Sequence, residues 1–169
     1  MEDDKWTPIK ALGRARQSIN ELLINELVID KSDKPELMFS QVYNANNEKL
    51  EEFLVMYSGY KAYLETEISK RESERNALEA AFEEGYSKAM YTLYQERENG
   101  GKKKPVKDEI RGEIFSKYPG LENRRKEIIE KEIALKELSG LLNTYTTAYN
   151  TISRIVALRT YGGEKWYSE

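Results

Sequence analysis

The sequence predicts an all-α protein, a long antiparallel helical hairpin or coiled-coil bundle with an additional amino-terminal helix, and three observations predict it. Ile128, Leu135, Leu142, Tyr149 and Val156 recur every seven residues, with Leu138, Tyr145 and Ile152 offset by three. A heptad pattern sustained in this way is a coiled-coil seam. Leu50, Phe53, Tyr57, Tyr60, Leu64 and Ile68 recur at spacings of three and four, which lines one face of a second helix that needs a partner. Breakers are scarce, with 10 Gly and 4 Pro in 169 residues, and no alternating apolar run marks a strand.

Taken from the amino terminus, Thr7-Pro8 before Ile9 reads as a helix cap followed by proline at the first helical position, where its missing N–H does no harm. Ile9, Leu12, Ile19, Leu22, Leu23 and Leu27 keep helical spacing from there, so a first helix is expected to end near Val28-Ile29-Asp30, weakened at its start by Gly13. Ser32 to Pro35 is turn chemistry, and a short apolar segment, Leu37 to Tyr43, leads into the Asn44 to Asn47 break. A long helix follows from about Glu48. Its stripe lapses between Ser69 and Asn76, where Arg71 and Arg75 stand in apolar register, and resumes at Leu78, Phe82, Tyr86, Met90 and Leu93. The favoured reading of the lapse is a solvated stretch in which Arg stems cover their neighbours.

Asn99-Gly100-Gly101-Lys102-Lys103-Lys104-Pro105 is the strongest break. Two glycines cap what precedes, and three lysines cannot bury a core face, so an exposed loop is expected. A short amphipathic segment with Ile110, Ile114 and Phe115 comes next, and Tyr118-Pro119-Gly120 separates it from the heptad helix. The domain reading is a helical extension over 1–30 and a hairpin domain over 31–169 that carries the basic loop at 99–107. Because Tyr145 and Tyr149 lie in a stretch free of acids, Leu138, Leu142, Tyr145, Tyr149, Ile152 and Val156 are expected to form a self-association face of a homo-oligomer.

Composition narrows the function. There is no Cys and no His, which removes disulfides, thiolate nucleophiles, Cys or His zinc sites and His-dependent acid–base chemistry. The acid pairs Glu51-Glu52 and Glu83-Glu84 point around a helix rather than together, and Asp108, Glu109 and Glu113 are explained by the start of a helix, whose dipole favours acids. No phosphate-binding Gly-x-x-x-x-Gly-Lys-Ser/Thr is present. The expectation is therefore a protein that is not an enzyme and needs no cofactor or metal. No apolar run approaches a membrane span, and Met1-Glu2-Asp3-Asp4 is acidic, unlike a signal peptide, so a cytoplasmic protein with no membrane partner is expected.

The net charge of −3 conceals a split. Residues 1–99 carry 13 Lys/Arg against 20 Asp/Glu, and residues 100–169 carry 14 against 10. The basic part opens with Lys102, Lys103, Lys104, Lys107 and Arg111, and ends in an acid-free stretch from Leu138 to Gly163 that holds Arg154 and Arg159. Cations interleaved with aromatics are the footprint of a polyphosphate. The lysines are candidates to neutralise phosphates, and Tyr86, Tyr91 and Tyr94 to stack on exposed bases. For each there is a duller role: Tyr86 as core, Tyr91 and Tyr94 as caps of a helix pair, the lysines as solvation. With no recognition-helix signature, a single strand is the better nucleic-acid partner than a specific duplex.

The order of elements carries a resemblance. Leu27-Val28-Ile29-Asp30, the Asn44 to Asn47 stretch opening a long helix, Lys88-Ala89-Met90-Tyr91-Thr92-Leu93-Tyr94 ahead of a Gly-containing basic loop, Ile114 to Tyr118 before a helix begun near Leu121-Glu122, Tyr149-Asn150-Thr151-Ile152-Ser153-Arg154 and Trp166 together resemble the phage recombination mediator family typified by UvsY. Its members are small helical proteins that assemble into rings on single-stranded DNA. The resemblance covers about residues 25–166 and implies an oligomeric mediator that loads a RecA-like recombinase and helps displace a single-strand binding protein. Of the family's Lys-Ala-Arg-Leu motif, Lys88 carries over while Met90 replaces the arginine, so the load shifts to Lys102, Lys103, Lys104, Lys107 and Arg111. Arg154 and Arg159 stand second, Arg159 on the seam and able to pair across an oligomer. The rival reading is a coiled-coil structural or inhibitory protein whose partner is another protein, such as a phage assembly factor or a host enzyme.

Overall fold

The computed structural model describes residues 6–22, 42, 44–101 and 107–165, and of 107, 108 and 162–165 the helical backbone alone. Among the described residues there are four α-helices and no strand: α1 (Pro8–Asn20), α2 (Asn47–Asn99), α3 (Lys107–Lys117) and α4 (Pro119–Lys165). The starts follow local chemistry. Thr7 Oγ1 accepts the Lys10 N–H at 3.2 Å and Asn46 Oδ1 accepts the Lys49 N–H at 2.9 Å, each satisfying a first-turn donor that has no intrahelical partner. Pro119 opens α4 at the position where proline costs nothing. α1 is described to Asn20, and its expected continuation to Val28–Asp30 and the segment from Leu37 lie outside the described residues, Val42 excepted.

Contacts divide the chain into two compact units, Arg16–Ser69 with Lys136–Glu169 and Met1–Ala15 with Lys70–Leu135. In the first of these, Leu50, Tyr57, Tyr60 and Leu64 of α2 and Leu138, Tyr145 and Ile152 of α4 share one buried cluster with Val42. Tyr145 sits against Tyr57 and Tyr60, with ring centroids 5.7 and 5.4 Å apart, while Arg159 reaches Ala45. Residue numbers rise on one helix as they fall on the other, so the two run antiparallel within this unit. Each fully buried leucine here contributes on the order of 1.5–3 kcal/mol from apolar burial.

This cluster corrects the expected self-association face. Leu138, Tyr145 and Ile152 are buried in the chain's own core. Leu142, Tyr149 and Val156 pack against the same cluster, and Lys61 Nζ lies 4.9 Å from the centre of the Tyr149 ring. A seam position is satisfied by any helix of matching period, and here α2 of the same chain supplies it.

The Tyr145 hydroxyl is buried without a hydrogen-bond partner among the described residues. Burial pushes it up to about 12, the neighbouring Tyr57 and Tyr60 adding to the effect, and burial also raises Tyr57. A hydroxyl that ionises later in the fold than in the unfolded chain gives stability that is complete below pH 10 and is lost as pH rises toward 12. Thermal unfolding followed by circular dichroism should therefore show a falling midpoint over this window. Tyr145→Phe, which removes both the ionisation and the unpartnered hydroxyl, should flatten part of that fall and leave the midpoint at neutral pH unchanged or slightly raised.

In the other unit Ala89, Leu93, Ile110 and Ile114 form the core cluster, with Tyr86, Met90, Phe115 and Leu121 packed on it. Tyr86 stacks on Phe82 at 5.6 Å and meets Phe115 at 6.2 Å, so its duller role, as core, is the one it has. A methyl on Gly85 would lie 2.9 Å from Leu121 Cδ2, and glycine is what lets α2 and Leu121 come this close. The lapse in the α2 stripe is helical and ionic rather than merely solvated. Lys131 Nζ lies 2.9 Å from Glu74, and Arg75 lies between Glu79 at 3.8 Å and Glu132 at 3.9 Å. Ala11 and Ala15 of α1 are buried, and Trp6 Nε1 donates to Glu130 at 2.8 Å, with Arg14 3.4 Å from the same carboxylate. Exposed pairs of this kind set register and contribute little each, about 0–1 kcal/mol.

Candidate nucleic-acid interface

The candidate interface is built at the carboxyl end of α2. Ala89 and Leu93 face Ile110 and Ile114 of α3, so the two helices that flank the lysine-rich segment are tied together by a small apolar core. Ion pairs tighten this join. Arg97 pairs with Glu113, and Lys117 Nζ lies 2.6 Å from Glu96 and 3.6 Å from Glu113. Its hydrogen bond to Arg97, with Lys117 nearby, holds the Glu113 carboxyl below the usual carboxylate range, and the hydrogen bond to Glu96 raises Lys117. These cations are engaged in structure rather than offered to a ligand.

α2 ends at Gly100-Gly101. The Gly100 N–H donates to Glu96 O at 3.1 Å and the Gly101 N–H to Glu98 O at 3.2 Å, and Gly101 takes a φ of 64°, in the left-handed region that a side chain disfavours. The lysines follow in the sequence. Lys102, Lys103 and Lys104 lie outside the described residues, and Lys107 is in the first turn of α3.

Off the face of α2 that packs on α3 stand Tyr91, 64% exposed, and Tyr94, 42% exposed. The alternative in which both cap a helix pair is therefore not what they do. Gln95 Nε2 donates to the Tyr91 hydroxyl at 2.7 Å, which fixes the ring about two turns before the helix end. Lys88, one turn earlier, is exposed and reaches back 2.5 Å to Glu84, whose carboxyl it holds below its ordinary value. An exposed pair of this kind is weak enough for a phosphate to replace the carboxylate. Tyr118, at the far end of α3, is a third exposed aromatic and was not singled out by the sequence, because a Tyr-Pro-Gly turn reads only as a break.

The remaining candidates fall in three places. Arg111 is half-buried, with its guanidinium 5.7 Å from the centre of the Phe115 ring, so its stem is part of the packing around α3. Arg154 is exposed on α4 and makes no ion pair among the described residues. Arg159 donates from Nη1 to Ala45 O at 2.7 Å and to Asn47 Oδ1 at 3.3 Å. It is a clasp on the start of α2 within its own unit.

Comparison of the chain with known protein families, with curated proteins and with solved structures finds no match. Function is therefore read from the geometry above. No group of three acidic side chains among the described residues is arranged to hold a metal ion, and no described helix is long and apolar enough to cross a membrane.

Proposed function

We propose that this chain is a single-stranded DNA binding accessory protein, a cytoplasmic recombination mediator that works as an oligomer, promotes loading of a RecA-like recombinase and helps it displace a single-strand binding protein. The observation that carries the reading is the pair of exposed tyrosines, Tyr91 and Tyr94, on the last turns of the helix that runs into the Lys102 to Lys107 segment. Stacking platforms beside a run of cations are what a single strand needs: every base has a face to stack, and every phosphate a charge to neutralise. The proposed mechanism is mechanical rather than chemical. Helical hairpins assembled side by side would offer many such segments to one strand, and weak contacts would sum through effective concentration. The order of motifs that resembles the UvsY-typified family supports the same reading.

The test is anisotropy of a labelled single-stranded oligonucleotide. Binding should be present at low salt and fall steeply as salt is raised. Tyr91→Ala and Tyr94→Ala should each weaken it about tenfold, the scale of one lost base stack, with little change in the salt slope. Absence of binding at low salt overturns the reading. The rival, a coiled-coil protein that holds another protein, is favoured by one observation: Leu158 and Tyr161 stand exposed on α4 in a stretch of sequence that carries no lysine cluster.

A further inference from the structure

Arg124, Arg125 and Lys126 form a basic triplet near the start of α4, in the same unit as Tyr91 and Tyr94. Lys126 Nζ is matched by Glu122 at 2.6 Å, and Arg125 is half-buried. Arg124 is exposed and makes no ion pair among the described residues. Its Nη1 donates to the backbone carbonyl of Ala81 on α2 at 3.4 Å, a long bond to a neutral acceptor.

This contact repeats one that the fold does neutralise. Lys131 of α4 meets Glu74 of α2, with Nζ 2.9 Å from the carboxylate. Arg124 comes seven residues before Lys131, and Ala81 seven residues after Glu74, so the two contacts occupy the same place one heptad apart on antiparallel helices. In the first the receiving residue is an acid. In the second it is alanine, and the guanidinium is left with a single carbonyl. A guanidinium has five N–H donors in a planar fork that matches a phosphate, and Ala81 engages one of them.

The same spot ends a row of side chains on α2. Tyr94, Tyr91, Lys88 and Gly85 are spaced by three, and each step back along the row moves about 4.5 Å along the axis and about 60° around it. The row crosses the helix obliquely, from the two exposed tyrosines through exposed Lys88 to Gly85, against which Leu121 of α4 packs. Gly85 follows Ala81 by four, so the carbonyl that Arg124 reaches is the one facing the Gly85 N–H within the helix. Two aromatic rings, an ammonium and a guanidinium therefore follow one line. Rings that stack on bases and cations that neutralise phosphates, set along a track, are what a single strand follows.

We propose that Arg124 is a phosphate-binding residue of the strand-binding face, and that a single strand crosses α2 along this row, from Tyr94 and Tyr91 past Lys88 to Arg124. The inference rests on the nucleic-acid part of the proposed function and adds a contact from a second helix, so that the bound strand touches both α2 and α4.

The experiment is anisotropy of a labelled single-stranded oligonucleotide with the full chain, titrated over a range of salt, for wild type, Arg124→Ala, Arg124→Lys and Ala81→Glu. Arg124→Ala should lower the slope of log affinity against log salt by about 0.7, the share of one phosphate, and weaken binding at low salt by about tenfold. Arg124→Lys keeps the charge and should keep most of the slope. Ala81→Glu gives Arg124 the acid that Glu74 gives Lys131, and should weaken binding at least as much with Arg124 still in place. Arg124 and Ala81 are both exposed, so the unfolding midpoint should be the same in all four proteins. Wild-type affinity and slope in Arg124→Ala or in Ala81→Glu would put Arg124 off the path of the strand and overturn this inference, while the wild-type curve keeps the nucleic-acid reading. An Arg124→Lys variant as weak as Arg124→Ala would overturn the phosphate contact, since charge would not be what the strand uses there. A wild type that binds nothing at low salt overturns both readings together.

Discussion

Replacing Leu138 by alanine is expected to lower the unfolding free energy by about 3 kcal/mol, within the 2–5 kcal/mol range of leucine truncations in well-packed cores. Leu138 is among the fully buried side chains of the cluster shared by α2 and α4. Truncation removes the transfer energy of its terminal carbons and leaves a cavity that two long, regular helices cannot close without shifting every neighbouring turn. A loss of this size is a large part of the roughly 5–15 kcal/mol that holds a domain together. Urea unfolding followed by far-ultraviolet circular dichroism should show a lower midpoint with an unchanged slope. The oligomer, measured in parallel, should persist, because Leu138 belongs to the interior of one chain. An unfolding midpoint close to wild type, together with a dissociated oligomer, would mean instead that the heptad seam is used between chains.

The second expected result concerns the lysines. Changing Lys102, Lys103 and Lys104 together to alanine should reduce the salt dependence of oligonucleotide binding by about 2 in the slope of log affinity against log salt, since each phosphate neutralised on a single strand contributes about 0.7. By the same relation the affinity at 50 mM salt should fall by about a hundredfold or more, while binding at molar salt hardly changes. The unfolding midpoint should not move, because three consecutive lysines after the helix end set by Gly100 and Gly101 offer no apolar side chain for a core to bury. The pattern differs from that of the tyrosine variants, which should lose affinity at every salt concentration alike. A triple variant that keeps the wild-type slope would show that the lysines only solvate the segment, and would leave the nucleic-acid reading without its main contacts.

Several features were legible from residue order because they are local. Thr7 and Asn46 cap helices because a short oxygen-bearing side chain meets the first free N–H groups wherever it precedes a helical stretch. Gly100-Gly101 ends α2 because only glycine takes the left-handed conformation easily. The heptads of α4 and the stripe of α2 fixed which faces are apolar. The core role of Tyr86 was offered by its place on the apolar stripe, whereas the exposure of Tyr91 and Tyr94 was not legible, since residue order left them equally able to cap a helix pair. Arg159 is a similar case. Its clasp on Ala45 and Asn47 joins residues more than a hundred positions apart, and nothing near it in the chain announces the partner.

By itself, then, the sequence determined that this protein is helical, where its described helices begin, which faces are apolar and where its charge is concentrated, because caps, breakers and periodicity act over a few residues. Only the tertiary structure decided which apolar face is used inside the chain and which is left over. A heptad seam states that a helix needs a neighbour of the same period and is silent on whether that neighbour belongs to the same molecule. With α2 filling the seam around Leu138, Tyr145 and Ile152, the large apolar side chains left exposed on the two helices of this unit include Val55, Leu158 and Tyr161, where no periodic signal had drawn attention.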